Sequence, residues 1–568
     1  MTVHNDTAWV RRSNELAEPV VALTIAAGPE GASQLGLSQA DPHTTDLSDG
    51  WRDRIRAAIA RANAILESAA KVESDARLRE DITILRGRVA DIDAALTVSD
   101  AHLLSLIDVA KTAFLGIRVL LDEQNPIERK RLALQRLRRY AGLEPGVVAI
   151  AEAAEAETRA RLAVPNLTGP YDVEVRTSIA LAPLLVAGIG EMLKSSGLDG
   201  WQDAFAQLER QLEAYNAFVR DELLPRTRTD HRLPPPVYAQ YLRHYGVDIA
   251  PAELAMRAHA AFDAIQAEMQ RLAPQVAQEA GIDATDYRDV IRALKRTQIT
   301  GGADAIMAFY RARLAEIEAI VKRERIVSMP ERPARIRVAS LAESAESPVA
   351  HMNPAPLVNN TGQVGEFVLP LDVPPAAGGS ATERSDDFTH DAVTWTLTAH
   401  EARPGHEVQF DRMLEGELSL ARAAFAFNSV NVEGWALYAE QLVLPYMPSA
   451  GQLCSLQMRL HRAARAFIDP ELQSGKMTPA GAQAFLEREI TFSPTFARSE
   501  VERYTFRAPG QATSYFYGYT HLVALREEVE KRLGNRFDQL AFHDFILDQG
   551  LLSPSALREA VLERLVSA

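Results

Sequence analysis

Residues 398–410 read TAHEARPGHEVQF, two histidines with a glutamate beside the first and a Pro-Gly pair before the second. Imidazoles and carboxylates are the ligands of a catalytic zinc, which takes about three protein groups and leaves one position for water. A glutamate next to the first ligand can serve as base toward that water. The familiar spacing puts the second histidine four residues on, but that position is Pro404 and the next histidine is His406. Six steps of about 100° leave two side chains about 120° apart, so an uninterrupted helix cannot bring both to one ion. Proline removes a backbone donor and glycine tolerates unusual dihedrals, so a kink, bulge or turn at Pro404-Gly405 can swing His406 back beside His400.

The third ligand must then come from a neighbouring helix. NVEGWALYAEQ supplies Glu433, 27 positions beyond His406, with Gly434 for close helix approach and Trp435 as an apolar wall. Glu440, seven residues beyond Glu433 and on nearly the same helix face, is placed to hydrogen-bond a ligand from behind. Any one of these histidines alone reads as a helix end with a solvated ring. The coincidence of His, Glu, Pro, Gly and His with a downstream carboxylate on an apolar helix favours the metal.

The elements that must position these residues are mostly helical. Apolar residues recur at three- and four-residue steps from Trp51 onward, as in WRDRIRAAIARANAILESAAKV. Residues 1–48 read as an extended lead-in, 49–325 as an N-terminal helical lobe and 326–568 as the lobe that carries the metal. Between about 325 and 385 the chain turns rich in Val, Pro, Gly and Asn, which predicts short strands and loops. GEFVLPL is the best strand; it is either an edge to which an extended peptide adds, with Phe367 at the substrate, or an internal strand. No fixed-period repeat is present. The expectation is a mainly α fold with a small β patch just ahead of the His-Glu motif.

Composition bounds the function. The chain has 568 residues, 47% hydrophobic and 24% charged, with a net charge of -15. That balance excludes a broad nucleic-acid footprint, which needs a basic face. The single cysteine, Cys454, excludes a Cys-rich zinc site and reads as a buried apolar side chain. The run VVALTIAA near the N-terminus is too short to span a bilayer and lacks a basic segment before it, so the expectation is a cytoplasmic protein with no membrane partner.

Five stretches resemble one family. HEARPGH resembles the HExxPGH motif of the DUF885 family of bacterial proteins, and EGWALYAE its second motif. RYTFRAPGQATSYFYG, LREEVEKRLGNRFDQLAFHDFILDQG and PPVYAQYLRHYGVDIAPAEL are also similar to it, in order, from about residue 50 to the end. The resemblance implies a zinc-dependent, two-lobed helical fold with a deep cleft, laid out like the long-cleft metallopeptidases. It implies His400, His406 and Glu433 as ligands of one zinc ion and Glu401 as base. Dipeptidyl peptidase III offers a related precedent for a stretched zinc motif. Two positions depart from the family pattern, Arg403 (usually apolar or aromatic) and the more aromatic SYFYG; both bear on substrate preference.

Amide hydrolysis also needs a donor for the oxyanion. Tyr515 is the first choice, since similar tyrosines follow Gly-rich stretches in the oligopeptidases; His543 is the second, and Tyr504 is weaker. Arg503, Arg507 and Arg526 are candidates to pair a substrate carboxylate. His390 and His351 lack ligand spacing and read as structural or solvated. The function expected is a zinc hydrolase cutting amide bonds of short peptides, carboxypeptidase- or oligopeptidase-like. The alternatives are an amidohydrolase for a non-peptide N-acyl compound and a non-catalytic helical binding protein with a degenerate site.

Overall fold

Helices follow from the periodicity and from well-made ends. The side chain of Asp75 accepts from the backbone N–H groups of Arg77 and Leu78, Asn428 does the same for Asn431, and Ser493 for Phe496. The structure, a computed structural model, describes residues 8–374, 383–384, 386–416 and 418–567. Its N-terminal part includes α1 (Ala8–Ala27), α2 (Trp51–Val72), α3 (Ala76–His102), α4 (Val109–Leu121), α5 (Asp172–Ser195), α6 (Pro251–Ala280) and α7 (Gly302–Arg323). After the strands come α8 (Asp391–Glu401), α9 (His406–Glu415), α10 (Ser429–Val443), α11 (Ser449–Gln473), α12 (Pro494–Glu502) and α13 (Thr513–Leu533).

The first helix corrects the extended lead-in expected from sequence. α1 packs on α2 and α3, burying Leu16, Val20, Val21 and Leu23. Pro19 lies inside it and costs about 3 kcal/mol, yet each buried aliphatic side chain returns about 1.5–3 kcal/mol. Packing outweighs the proline. α5 is apolar and long enough to cross a bilayer by composition, but its Val175, Leu185, Ile189 and Leu193 face join the core with α4.

The largest core runs from Tyr238 to Tyr517 around α6 and α11, so the boundary expected at 325/326 passes through it. α11 lies at the centre, packed against α6, α8 and α13, while α10 packs along α13. The β patch is a three-stranded mixed sheet of β1 (Arg335–Val338), β2 (His351–Asn353) and β3 (Glu366–Leu369), in the order β1-β3-β2. β3 pairs in parallel with β1 and antiparallel with β2. GEFVLPL is therefore the central strand, with both of its backbone edges taken and Phe367 buried against Tyr310. A peptide cannot add to it, and Phe367 is a core residue.

Candidate metal centre

The chain solves the spacing problem by ending one helix and starting another. α8 stops at Glu401 and α9 begins at His406. Gly405 lies so close beneath α8 that a Cβ there would come 1.9 Å from the His400 carbonyl oxygen and 2.5 Å from that of Ala399. The indole Nε1 of Trp435 donates to the carbonyls of Pro404 (3.0 Å) and Gly405 (3.2 Å), tying the turn to α10. Arg403 holds it from the other side, donating twice to Glu407 at 2.6 Å and once to Glu318 at 2.8 Å. Arg403 is thus a brace for the turn and does not line the cleft, so its departure from the family pattern bears on the support of His406 and not on substrate.

His400 and His406 meet with ring centroids 4.9 Å apart. Glu433 Oε2 lies 3.7 Å from His400 Nε2 and 3.4 Å from His406 Nε2. Ligands about 2.1 Å from one tetrahedral ion are about 3.4 Å apart; the two Glu433 spacings lie near that value and all three ligand atoms are within 4.8 Å of one another, which suits a zinc-sized cation. Buried Glu433 Oε2 also has no hydrogen-bond partner, although its other oxygen accepts from Gln511 Nε2 at 3.2 Å. A buried carboxylate oxygen without a hydrogen-bond donor, set between two imidazoles, is suited to a cation.

Electrostatics agree. Burial pulls His400 down, but the carboxylates of Glu401, Glu433 and Glu440 outweigh it and raise its pKa to about 9. Burial likewise opposes the charge on Glu433, and the two histidines overcome it, holding its carboxyl well below the usual range. The acids of the cluster therefore favour a positive charge among them, which a proton on His400 supplies and a cation could supply equally. Glu440 Oε1 sits 2.6 Å from His400 Nδ1, and its Oε2 accepts from Thr396 at 2.5 Å. That contact fixes the ring so that Nε2 faces the cluster.

α10 can bring Glu433 this close because it crosses α13 glycine to glycine. A Cβ on Gly518 would come 1.9 Å from the Val430 carbonyl oxygen and 2.9 Å from the Gly434 Cα. Gly518→Ala is expected to cost about 1–3 kcal/mol in overpacking and to push Glu433 off the histidines. Thermal unfolding with and without added zinc checks both effects: a lower Tm and a smaller zinc-induced rise are expected, and an unchanged pair of values refutes the crossing as a determinant.

The cluster opens into a cavity of about 260 Å³ whose lining includes Glu401, Tyr515, Arg503, Arg462, Arg465 and His461. Glu401 is only 6% exposed, with Oε1 4.0 Å from His400 Nε2. The Tyr515 ring stacks parallel to that of His400 at 6.4 Å. Burial and the charge of Glu433 raise the Tyr515 pKa above its ordinary value against the pull of Arg503, so the phenol keeps its proton.

Four sequence expectations fail here. His543 is fully buried away from the cavity, with Nε2 2.8 Å from the Tyr438 hydroxyl and Nδ1 2.6 Å from the Ile326 carbonyl oxygen; burial lowers its pKa to about 4. It backs α10 and cannot reach an oxyanion. Tyr504 is buried and donates to Glu500 at 2.5 Å. Arg507 pairs with Glu502 at 2.9 Å in another depression, and Arg526 with Glu530 at 2.6 Å. Of the three arginines only Arg503 lines the cleft. His351, read as structural or solvated, stands on β2 in the cleft wall, whereas His390 is buried at the start of α8. Cys454 is buried and free, and burial pushes its thiol up to about 12.

Sequence reasoning missed the polar face of α11. Met458, His461, Arg462 and Arg465 recur at three- and four-residue steps in a largely buried helix, and all four line the cavity. Arginines at core spacing in a buried helix were the available signal.

Two solved proteins share the fold over their whole length. One, a candidate lipoprotein from Colwellia psychrerythraea, is 18% identical, with a TM-score of 0.77 over 98% of this chain and 99% of that one. The other, a candidate lipoprotein of unknown function from Shewanella oneidensis, is 20% identical, with a TM-score of 0.72 over 98% and 100%. An M32 carboxypeptidase from Deinococcus radiodurans R1 overlays only loosely, at 14% identity and a TM-score of 0.35 over 97% and 95%. No curated protein matches the chain. The family model described as bacterial protein of unknown function (DUF885) matches residues 29–561, and the chain belongs to that family.

Proposed function

We propose that the protein is a zinc-dependent hydrolase that cleaves amide bonds of short peptides. The observation that carries this reading is Glu401: a buried carboxylate beside a three-ligand cluster, inside a cavity, where a purely structural metal site has no use for it. His400, His406 and Glu433 would hold the ion, and two imidazoles with one carboxylate are a donor set suited to zinc. When bound, such an ion polarises an amide carbonyl and acidifies water.

The side chains supply the rest. Glu401 takes a proton from the attacking water and hands it to the departing amine, both within one cavity. Tyr515 donates a hydrogen bond to the oxygen on which negative charge develops; its raised pKa keeps it a donor at neutral pH. Glu440 holds His400 in one tautomer and orientation. Apolar Phe388, Leu397, Met458 and Phe496 wall the cavity and exclude water from it.

A mixed library of short peptides, read by mass spectrometry after incubation with the purified protein, tests this. Cleavage is expected with zinc, none after chelation, and recovery when zinc is returned. A zinc-loaded protein that leaves every peptide intact, or a chelated one that cuts as fast, rules the reading out.

A further inference from the structure

Three arginines crowd one end of the cavity, and they are committed to different degrees. Arg465 makes two bonds to Glu500, at 2.8 and 2.6 Å. Arg462 donates to the Met458 carbonyl and lies 3.7 Å from Glu440; its Nε has no partner among the described residues but is buried out of reach of a ligand, the side chain being 7% exposed. Arg503 has no acid of its own. Its nearest carboxylate is Glu500, 3.9 Å away, whose oxygens already accept from Arg465, His461 and Tyr504. Buried Asp469 is likewise occupied by Tyr238 and the backbone N–H of Gly510. What Arg503 does reach is the Tyr515 hydroxyl, at 3.5 Å, and its side chain is 22% exposed to the cleft. A guanidinium held only at the outer edge of an ion pair, beside a carboxylate whose oxygens are already taken, is matched to a carboxylate that arrives with the ligand.

We propose that Arg503 receives the terminal α-carboxylate of a peptide, so that the enzyme removes single residues from C-termini; this rests on the hydrolase reading above. Arg503 lies 3.5 Å from the Tyr515 hydroxyl and the Tyr515 ring faces that of His400 at 6.4 Å, so a single side chain links the guanidinium to the cluster and a carboxylate held there belongs to a residue next to the reacting bond. The scissile bond is then the last one. Water adds across it, oxygen to the acyl carbon and hydrogen to the amine, and a free amino acid leaves. That residue is apolar or aromatic, because Phe496 sits seven positions before Arg503 on the same helical face, with Phe388 packed against it. The rest of the peptide has an exit. Phe427, 56% exposed, lines both this cavity and a larger one of about 1020 Å³ that reaches α3.

Binding separates this assignment from catalysis. Zinc-loaded Glu401→Gln protein is titrated calorimetrically with an N-acetylated tripeptide ending in phenylalanine, as free acid and as C-terminal amide. The acid is expected to bind about ten- to a hundredfold tighter, the range for losing one charge-assisted pair. Arg503→Met should bring the ratio to about one while leaving affinity for the amide unchanged, and Arg503→Lys should keep part of it. With wild type, the free acid should release phenylalanine and the amide should be cut far more slowly. Equal binding of acid and amide, a ratio that survives Arg503→Met, or wild-type products from internal bonds overturns the proposal. Selective binding of the acid with no hydrolysis by wild type instead removes the hydrolase reading and leaves Arg503 as the carboxylate's seat.

Discussion

Replacing Glu401 by glutamine is expected to lower turnover by about two to four powers of ten while the protein keeps its fold and its metal. Glutamine has the same shape and can still accept a hydrogen bond, but it cannot take a proton from water or return one to an amine. Glu401 is not among the three groups that converge on one point, His400, His406 and Glu433, so zinc content should be unchanged. Steady-state rates on a peptide drawn from the library, alongside zinc analysis of the same preparation, test both halves. Turnover within a few-fold of wild type removes Glu401 as base. Lost turnover accompanied by lost zinc makes it a ligand instead.

His406→Ala is expected to weaken zinc binding more than a hundredfold and to abolish hydrolysis with it. An outer partner such as Glu440 is worth about 10–100-fold in affinity, and a direct ligand must exceed that. The binding should also depend on pH. His400 carries a proton below about 9 in the metal-free site, held there by Glu401, Glu433 and Glu440 against burial. Zinc must displace that proton, so apparent affinity rises with pH toward about 9 and levels off above it. Competition titrations against a chromogenic chelator at several pH values give both numbers. Affinity independent of pH, or unaffected by His406→Ala, contradicts the ligand assignment.

The metal cluster was legible because its parts are sequence-local signals with a geometric consequence. Pro404-Gly405 breaks a helix, and a break is what two histidines six apart require. The form of the break was not legible: two helices joined by a turn, stapled by Trp435 and Arg403, depend on partners from Glu318 to Glu407 that periodicity does not pair. Glu440 is pointed to by its seven-residue spacing from Glu433, and Tyr515 by its place in a Gly-, Gln- and Ser-containing turn and the likeness to oligopeptidase tyrosines. His543, Arg507 and Arg526 were misread because their types suit a cleft equally well as a buried hydrogen bond or a surface ion pair, and only packing separates these. GEFVLPL carries enough apolar character for either an edge or a central strand, and the choice was made by β1 and β2. α1 is hidden in a stretch of mixed character that ends in the polar SQADPHTTDLSDG, and packing on α2 and α3 makes it a helix despite Pro19.

One cation is expected to unite three side chains from helices α8, α9 and α10. Elemental analysis combined with zinc-edge X-ray absorption on the purified, zinc-loaded protein tests it most directly. One zinc per chain is expected, with two imidazole nitrogens and one carboxylate oxygen at about 2.0–2.2 Å, and loss of that signal in His406→Ala. A protein that takes up no stoichiometric zinc, or one whose zinc environment is unchanged by that substitution, contradicts it.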